Sequence, residues 1–248
     1  MSAAGFYDDI ASLYHLIYAD WEASIARQAE ALDGLIREAL GEGARAVRDV
    51  SCGIGTQALG LAARGHRVTA SDLSPGAVAR ARCEAAARGL EIAFSVADMR
   101  RCDREGAGPF DVVLSADNSV PHLLSEADIA EAFAAMSRCL GPGGLVLVSA
   151  RDYDAEDRTT PQLRPYGVRQ LPDGRCTVFQ VWDWRGDCYD VSMYFVLERG
   201  GEPRTVAGRA RYFAVGLGRL AALLERAGFR EVRRVDGRFF QPVLLGRQ

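Results

Sequence analysis

Lysine is absent from this chain of 248 residues: all 30 basic residues are arginine, set against 33 Asp and Glu for a formal net charge of −3. No basic block is interleaved with aromatics, so nucleic acid is not an expected partner. Histidine is scarce, with three residues at 15, 66 and 122, too few and too scattered for a histidine-based metal site. The six cysteines, at 52, 83, 102, 139, 176 and 188, form no C-x-x-C pair. Metal and redox pairs need closer spacing, so free thiols in a reducing cytoplasm and no structural metal are expected. Long apolar runs are also missing, the longest being "GGLVLVSA", far too short to cross a bilayer. The start, "MSAAGFYDDIASLYHL", lacks a basic stretch followed by an apolar core, so no secretory signal is expected.

What is present is 48% hydrophobic and 25% charged, without repeats or low-complexity stretches. That length and balance suit one large α/β domain with a modest insertion. Residues 1–40 read as helical: Tyr7, Ile10, Tyr14, Ile17, Tyr18 and Trp21 step by three or four and fall largely on one face, as a lid would. From 45 to 150 short apolar strands alternate with helices. "RAVRDV", "HRVTASD", "EIAFSVAD", "FDVVLSAD" and "LVLVSA" read as strands, and Ser74-Pro75 and Ser125 as helix starts. This alternation implies right-handed βαβ units and a parallel sheet. Over 151–213 the pattern changes to three β-rich runs, "RCTVFQVWDW", "CYDVSMYFVLER" and "TVAGRARYFAV", read as an antiparallel insertion capping a substrate site. Residues 214–248 return a helix, "LGRLAALLERAG", and two closing strands to the core. The expected fold is a Rossmann-like, mostly parallel seven-stranded sheet flanked by helices.

The chemistry gathers at strand ends. "DVSCGIGTQAL" satisfies the loose G-x-G-x-x-[GA] fingerprint through Gly53, Gly55 and Ala58, and Asp72 follows about twenty positions later. Those two features alone fit NAD equally well. Asp98-Met99 after the third strand and Asp117-Asn118 after the fourth have no task in a dinucleotide site. Asp98 can accept from an adenine amino group, with Met99 offering apolar surface to the ring.

These residues resemble the class I S-adenosylmethionine-dependent methyltransferases from about Val47 to Ala150, and "RYFAVGLGRLAALLERAGF" fits their last helix. "DVSCGIGTQAL", "VTASDLSPGAV", "DNSVPHL" and "RDYD" look particularly like the glycine/sarcosine N-methyltransferase branch. The resemblance implies that Gly53 and Gly55 line the methionine part of S-adenosylmethionine, with Asp49 and Cys52 shaping the loop. It implies that Asp72 holds the ribose beside Leu73, that Asp98 and Met99 hold adenine, and that Ala116 meets the cofactor by its backbone. Asn118 would face the acceptor, and Arg151 would grip an acceptor carboxylate as a bidentate guanidinium can. Tyr7, Tyr14 and Trp21 fall where a lid reaches the methionine end. Asp117 stands where related enzymes often carry glycine, which leaves the acceptor open.

Each residue has a plainer reading: a tight turn for the glycines, a small filler for Cys52, core cover for the aromatic stripe, a satisfied histidine for His122. Trp182 and Trp184 share one face of a strand, where sheet packing competes with a place in the acceptor site. Candidates for assisting methyl transfer are His122, Tyr18, Asn118 and Asp117; those for holding the acceptor are Arg151, Tyr14, Tyr7 and Trp182. The expected partner is a small molecule, methylated at nitrogen, carbon or oxygen, with S-adenosylhomocysteine as by-product. An arginine-rich, lysine-poor composition is what a GC-rich genome tends to write, and an indole-type secondary metabolite methylated at carbon is the alternative acceptor. An NAD-dependent dehydrogenase is the alternative from another class.

Overall fold

The structure is a computed structural model that describes residues 3–104 and 108–248. The amino-terminal segment is broken where one helical stripe was expected. Helix α1 (Ala3–Ile10) is followed by a 3-10 turn at Tyr14–Ile17 and then by α2 (Trp21–Leu40). The start of α2 has a local cause: Asp20 is extended, and its carboxylate accepts the Ala23 N–H, so it caps a new helix. The tyrosine stripe therefore spans two helical pieces and an extended residue, Tyr18.

The core follows as β1 (Ala46–Asp49), α3 (Thr56–Ala63), β2 (Arg67–Asp72), α4 (Pro75–Ala87), β3 (Ala93–Val96), β4 (Phe110–Ser115), α5 (Glu126–Cys139) and β5 (Leu140–Ser149). Ser74 and Ser125 cap α4 and α5 through the N–H groups of Ala77 and Asp128, as their sequence positions predict. Four further strands form a second sheet: β6 (Gln162–Leu171), β7 (Gly174–Arg185), β8 (Cys188–Glu198) and β9 (Arg204–Phe213). The chain closes with α6 (Leu217–Arg226), β10 (Arg230–Val235) and β11 (Val243–Arg247).

The main sheet has the order β10-β11-β5-β4-β1-β2-β3, parallel except for the pairs made by β11. Its strand order reverses between β1 and β4, and ligands of open α/β sheets bind outside the carboxyl ends at such a point. Leu32, Leu35 and Ile36 of α2 pack on one face of this sheet with Val47, Leu114 and Leu147. Phe133 and Met136 of α5 and Leu220 and Leu224 of α6 pack on the other with Val113, Val146 and Val148. Each such fully buried side chain contributes about 1.5–3 kcal/mol relative to exposure.

The second sheet, antiparallel in the order β6-β7-β8-β9, has one strand more than the sequence pattern suggests. Strand β6 escaped notice because it holds Pro165 and Gly167, where its register against β7 shifts, and alternates polar residues along an edge. Phe6 and Ile10 of α1 pack on this sheet beside Val178, Met193 and Phe195, which fixes the amino-terminal lid above the switch point of the core. Among the described residues no helix is long and apolar enough to cross a membrane.

Candidate active site

The carboxyl ends of β1, β2 and β4 open into a cavity roofed by the amino-terminal segment. After β1 the chain turns with Gly53 at φ 53° and Gly55 at φ 99°, a conformation that favours glycine. The ends of Asp72 are fixed by backbone: Oδ2 accepts the Gly53 N–H at 2.8 Å and Oδ1 the Ser74 N–H at 2.9 Å. A carboxylate held by two donors keeps lone pairs for two more. Burial pushes its pKa up, so new donors to it are favoured. Cys52, Leu73, Met99 and Ala116 line the same cavity, together with Tyr7, Tyr14 and Tyr18 from above. Cys52 is buried and its thiol pKa is pushed up by that burial, so it fills space there as a neutral group.

Asp98 also lines the cavity, but its carboxylate is already gripped by Arg100, with Nη2 2.6 Å from Oδ2. Arg100 reaches on to Asp128 at 2.7 Å, and its guanidinium holds the Asp98 carboxyl below the usual range. Arg100, two residues past a marked aspartate, is a site residue that the sequence reading passed over. Thr56, Gln57 and Ser119 are others.

Three residues expected at the cofactor, Asp49, Gly55 and Trp21, stand one layer behind the cavity wall. Asp49 is fully buried, with Oδ1 accepting the Ser51 N–H at 3.1 Å, and burial pushes its pKa up to about 7. It braces the loop from beneath. Gly55 begins α3, and a Cβ there would press on Leu59 and Ala81 at 3.2–3.3 Å. Trp21 donates from Nε1 to Thr56 Oγ1 at 2.9 Å, so it reaches the cavity through Thr56.

Asp117 is the hinge of the site. Two consecutive non-glycine residues, Asp117 at φ 57° and Asn118 at φ 63°, are left-handed, a strain of about 1–3 kcal/mol each that surrounding contacts must hold. The Asp117 N–H donates to Ser149 Oγ at 2.8 Å and the Asn118 N–H to the Ser149 carbonyl at 3.1 Å. The strained turn buries the Asp117 carboxylate, and burial pushes its pKa up. Tyr18 donates to Oδ2 at 3.3 Å, and Gln241 Nε2 to Oδ1 at 3.4 Å. Asp117 lines this cavity and also the cavity next to it.

That neighbouring cavity is walled by the second sheet. Arg151, Arg164 and Trp182 line it, with Tyr166, Gln180 and Gln241. Both guanidiniums stand over one indole, Arg164 at 4.5 Å and Arg151 at 5.0 Å from the Trp182 ring centre. Arg164 is paired with Glu156 at 2.5 Å, whereas Arg151 makes no direct ion pair among the described residues and interacts with the Asp117 carboxylate at longer range. Asn118 does not present its amide as a free catalytic group. Its Nδ2 donates to Tyr153 Oη at 2.7 Å, and its Oδ1 accepts the Arg151 N–H at 3.0 Å.

His122 lines the first cavity, with Nε2 3.0 Å from Tyr7 Oη and its ring 4.0 Å from that of Tyr212. Burial lowers its pKa to about 4, and burial raises Tyr7, Tyr14, Tyr18 and Tyr212 well above the usual phenol value. At neutral pH this wall carries hydroxyls and a neutral imidazole, and Asp117 is the acid beside it. Among the described residues no cluster of His, Cys, Asp and Glu is placed to hold a metal.

Residues 47–144, the strands and helices that carry the glycine loop, Asp72, Asp98 and Asp117, match the family model described as a methyltransferase domain. The chain is 34% identical to the glycine/sarcosine N-methyltransferase of Parasynechococcus marenigrum, over 54% of its own length and 47% of that protein. It is 40% identical to a ubiquinone biosynthesis O-methyltransferase of a Caulobacter strain, over 55% of its length and 51% of the relative's. It thus spans about half the length of the curated relatives it matches. The fold extends further than the sequence likeness: Streptomyces venezuelae DesVI superposes with a TM-score of 0.83 at 21% identity, covering 95% of this chain and 97% of that one. The likeness of fold therefore takes in the second sheet as well as the core.

Proposed function

We propose that the protein transfers a methyl group from S-adenosylmethionine to an amine nitrogen of a polar small molecule. The cavity fits the cofactor's parts. Asp72 is held open toward two ribose hydroxyls, Met99 gives the adenine an apolar face, and Gly53 lets the methionine chain pass close to backbone. Asp72 would serve NAD as well, but the buried carboxylate of Asp117 beside the cavity has no task in a dinucleotide site, whereas a sulfonium cation is attracted to it.

Bound S-adenosylmethionine supplies an electrophilic methyl on a positively charged sulphur. The residues here position the nucleophile and exclude water, and such orientation can contribute about 7–11 kcal/mol. The relatives divide between N- and O-methylation, so the acceptor atom is argued from geometry. Asp117, the buried carboxylate facing both cavities, is the observation that carries the amine. It binds a protonated amine and takes one proton from it, leaving the nitrogen lone pair for the methyl carbon. Tyr18 holds the carboxylate in place, and its raised pKa keeps it a hydrogen-bond donor. As the nitrogen–carbon bond forms and the carbon–sulphur bond breaks, the positive charge passes from sulphur to nitrogen, still beside Asp117. Arg151, which makes no direct ion pair among the described residues and feels the Asp117 carboxylate at longer range, receives an anionic or polar group of the same acceptor, with Trp182 beneath it.

Titration of the protein with S-adenosylmethionine, S-adenosylhomocysteine and NAD tests the cofactor. Binding of NAD without response to the other two overturns the reading. An acceptor panel of amines, phenols and indoles, read by a mass gain of one methyl, tests the nucleophile. Turnover of a phenol or indole with every amine inert would return the acceptor to oxygen or carbon.

A further inference from the structure

Helix α1 is held between two walls of different character. On one side Phe6 and Ile10 are buried against the second sheet, and a Cβ on Gly208 of β9 would come within 2.8 Å of the Phe6 ring. On the other side the exposed carboxylate of Asp8 meets the start of α4. Its Oδ1 accepts from Ser74 Oγ at 2.5 Å and from the Gly76 N–H at 2.7 Å. A Cβ on Gly76 would stand 2.9 Å from that oxygen and 3.2 Å from the Asp8 Cα, so the contact exists because position 76 lacks a side chain. Ser74 is also the residue whose N–H fixes Asp72, and Tyr7, next to Asp8, lines the cofactor cavity. One carboxylate thus joins the lid to the turn that orients the ribose site.

We propose that Asp8 is a positioning residue, a latch that holds α1 closed on α4 and sets how fast cofactor and product pass. The lid opens on this side because its contacts differ. Water can replace the partners of an exposed carboxylate, but undocking Phe6 and Ile10 exposes buried apolar surface with nothing to replace it. Opening at Asp8 uncovers the edge near Asp72, while the lid stays seated on β9 and Tyr7 keeps its contacts with His122 and Tyr212. The product-release part of this inference rests on the cofactor reading above; the latch itself does not.

Asp8→Ala and Gly76→Ala test it, because each substitution raises local helix propensity while breaking the same contact. For the latch, amide exchange over residues 3–10 in the free protein and release of S-adenosylhomocysteine each become about tenfold faster in either variant, as loss of a charged cap contact would give. The double variant is then no faster than either single one, and the unfolding midpoint moves little. Exchange over 3–10 that is unchanged or slower in both variants overturns the latch, as do effects that add in the double variant. If the wild-type protein binds neither S-adenosylmethionine nor its product, the functional reading fails, and amide exchange still decides the latch.

Discussion

The two cavities that meet at Asp117 are built by different means. The cofactor side is made of backbone: turns after β1 and β2, N–H groups of Gly53 and Ser74 on Asp72, and a chain that needs glycine at φ 53°. Its charged group is aimed by the sheet, since β2 places Asp72 whatever its side chain packs against. The acceptor side is made of side chains from distant segments, Tyr18 after the first 3-10 turn, Arg151 after β5, Tyr166 on β6, Trp182 on β7 and Gln241 before β11. A backbone site keeps its ligand as a family diversifies; a side-chain site can be rewritten residue by residue. Asp117 belongs to both, and its strained backbone is the cost of that position.

The largest effect is expected there. Asp117→Asn keeps the size and removes the charge, so methyl transfer to an amine should fall by about 10²–10⁴, the range for losing a positioned acid or base. Affinity for S-adenosylhomocysteine should stay within about threefold. Single-turnover rates beside calorimetric titration measure the two quantities separately. A variant that methylates at nearly the wild-type rate removes Asp117 from the chemistry and leaves it a structural turn.

Asp72→Ala acts on the cofactor side alone. It removes the ribose acceptor and frees the Gly53 and Ser74 donors, so S-adenosylhomocysteine should bind about 10- to 100-fold more weakly, as hydrogen bonds to a charged group are worth about 1.5–3 kcal/mol. With cofactor saturating, the acceptor KM should not move. An acceptor KM that rises as much as the cofactor KM would mean that the two cavities are not separable.

Two buried groups, His122 beside Tyr7 and Asp49 at the end of β1, give the folded state opposing responses to pH. His122 titrates near 6.5 when unfolded and near 4 when folded, so between these values the unfolded chain binds more protons and acid weakens the fold. Asp49 is raised from 3.8 to about 7 by burial, so over the same range the folded state binds more protons and acid strengthens the fold. From pH 7 to 5 each contributes about 2 kcal/mol, with opposite sign. The stability of the free protein should therefore change little from these two groups. His122→Asn removes one of them, and relative to wild type it should gain about 2 kcal/mol between pH 7 and 5 in urea unfolding. Parallel pH curves for the two proteins would show that His122 is not held neutral by burial.

The difference between the cavities also explains what the sequence could reveal. Strand ends in a parallel sheet are fixed by periodicity, so Asp72, Asp98 and Asp117 can be aligned from short local patterns. Arg151 and Trp182 were found as single residues, but nothing local says that Arg164 shares the Trp182 ring or that Gln241 reaches Asp117. Strand β6 was hidden by Pro165 and Gly167. The tyrosine stripe points to the cavity although the continuous helix that suggests it does not exist: α1 ends at Ile10, Asp20 caps a new helix, and the extended Tyr18 between them donates to Asp117. Asn118 and Trp21 were marked by position, yet position does not show that their polar atoms are spent on Tyr153 and Thr56.

The smallest effect makes the sharpest comparison, because the same chemical change can be made in both halves. Trp21 Nε1 donates to Thr56 Oγ1 at 2.9 Å and Trp182 Nε1 to Gln180 Oε1 at 2.8 Å, both in buried surroundings. Replacing either indole by phenylalanine keeps an aromatic ring and removes one donor, a loss of about 1 kcal/mol. Through Thr56, Trp21→Phe should weaken S-adenosylhomocysteine about fivefold and leave the acceptor KM alone. Trp182→Phe should do the reverse, raising the acceptor KM about fivefold, since Gln180 and the two guanidiniums over the ring lie on the acceptor side. Each variant is measured against both ligands, and a double variant tests whether the effects add, as they should for sites without shared partners. If Trp21→Phe also raises the acceptor KM, the lid and not the sheet sets the geometry of both cavities, and the division drawn at Asp117 has to move to the amino-terminal segment.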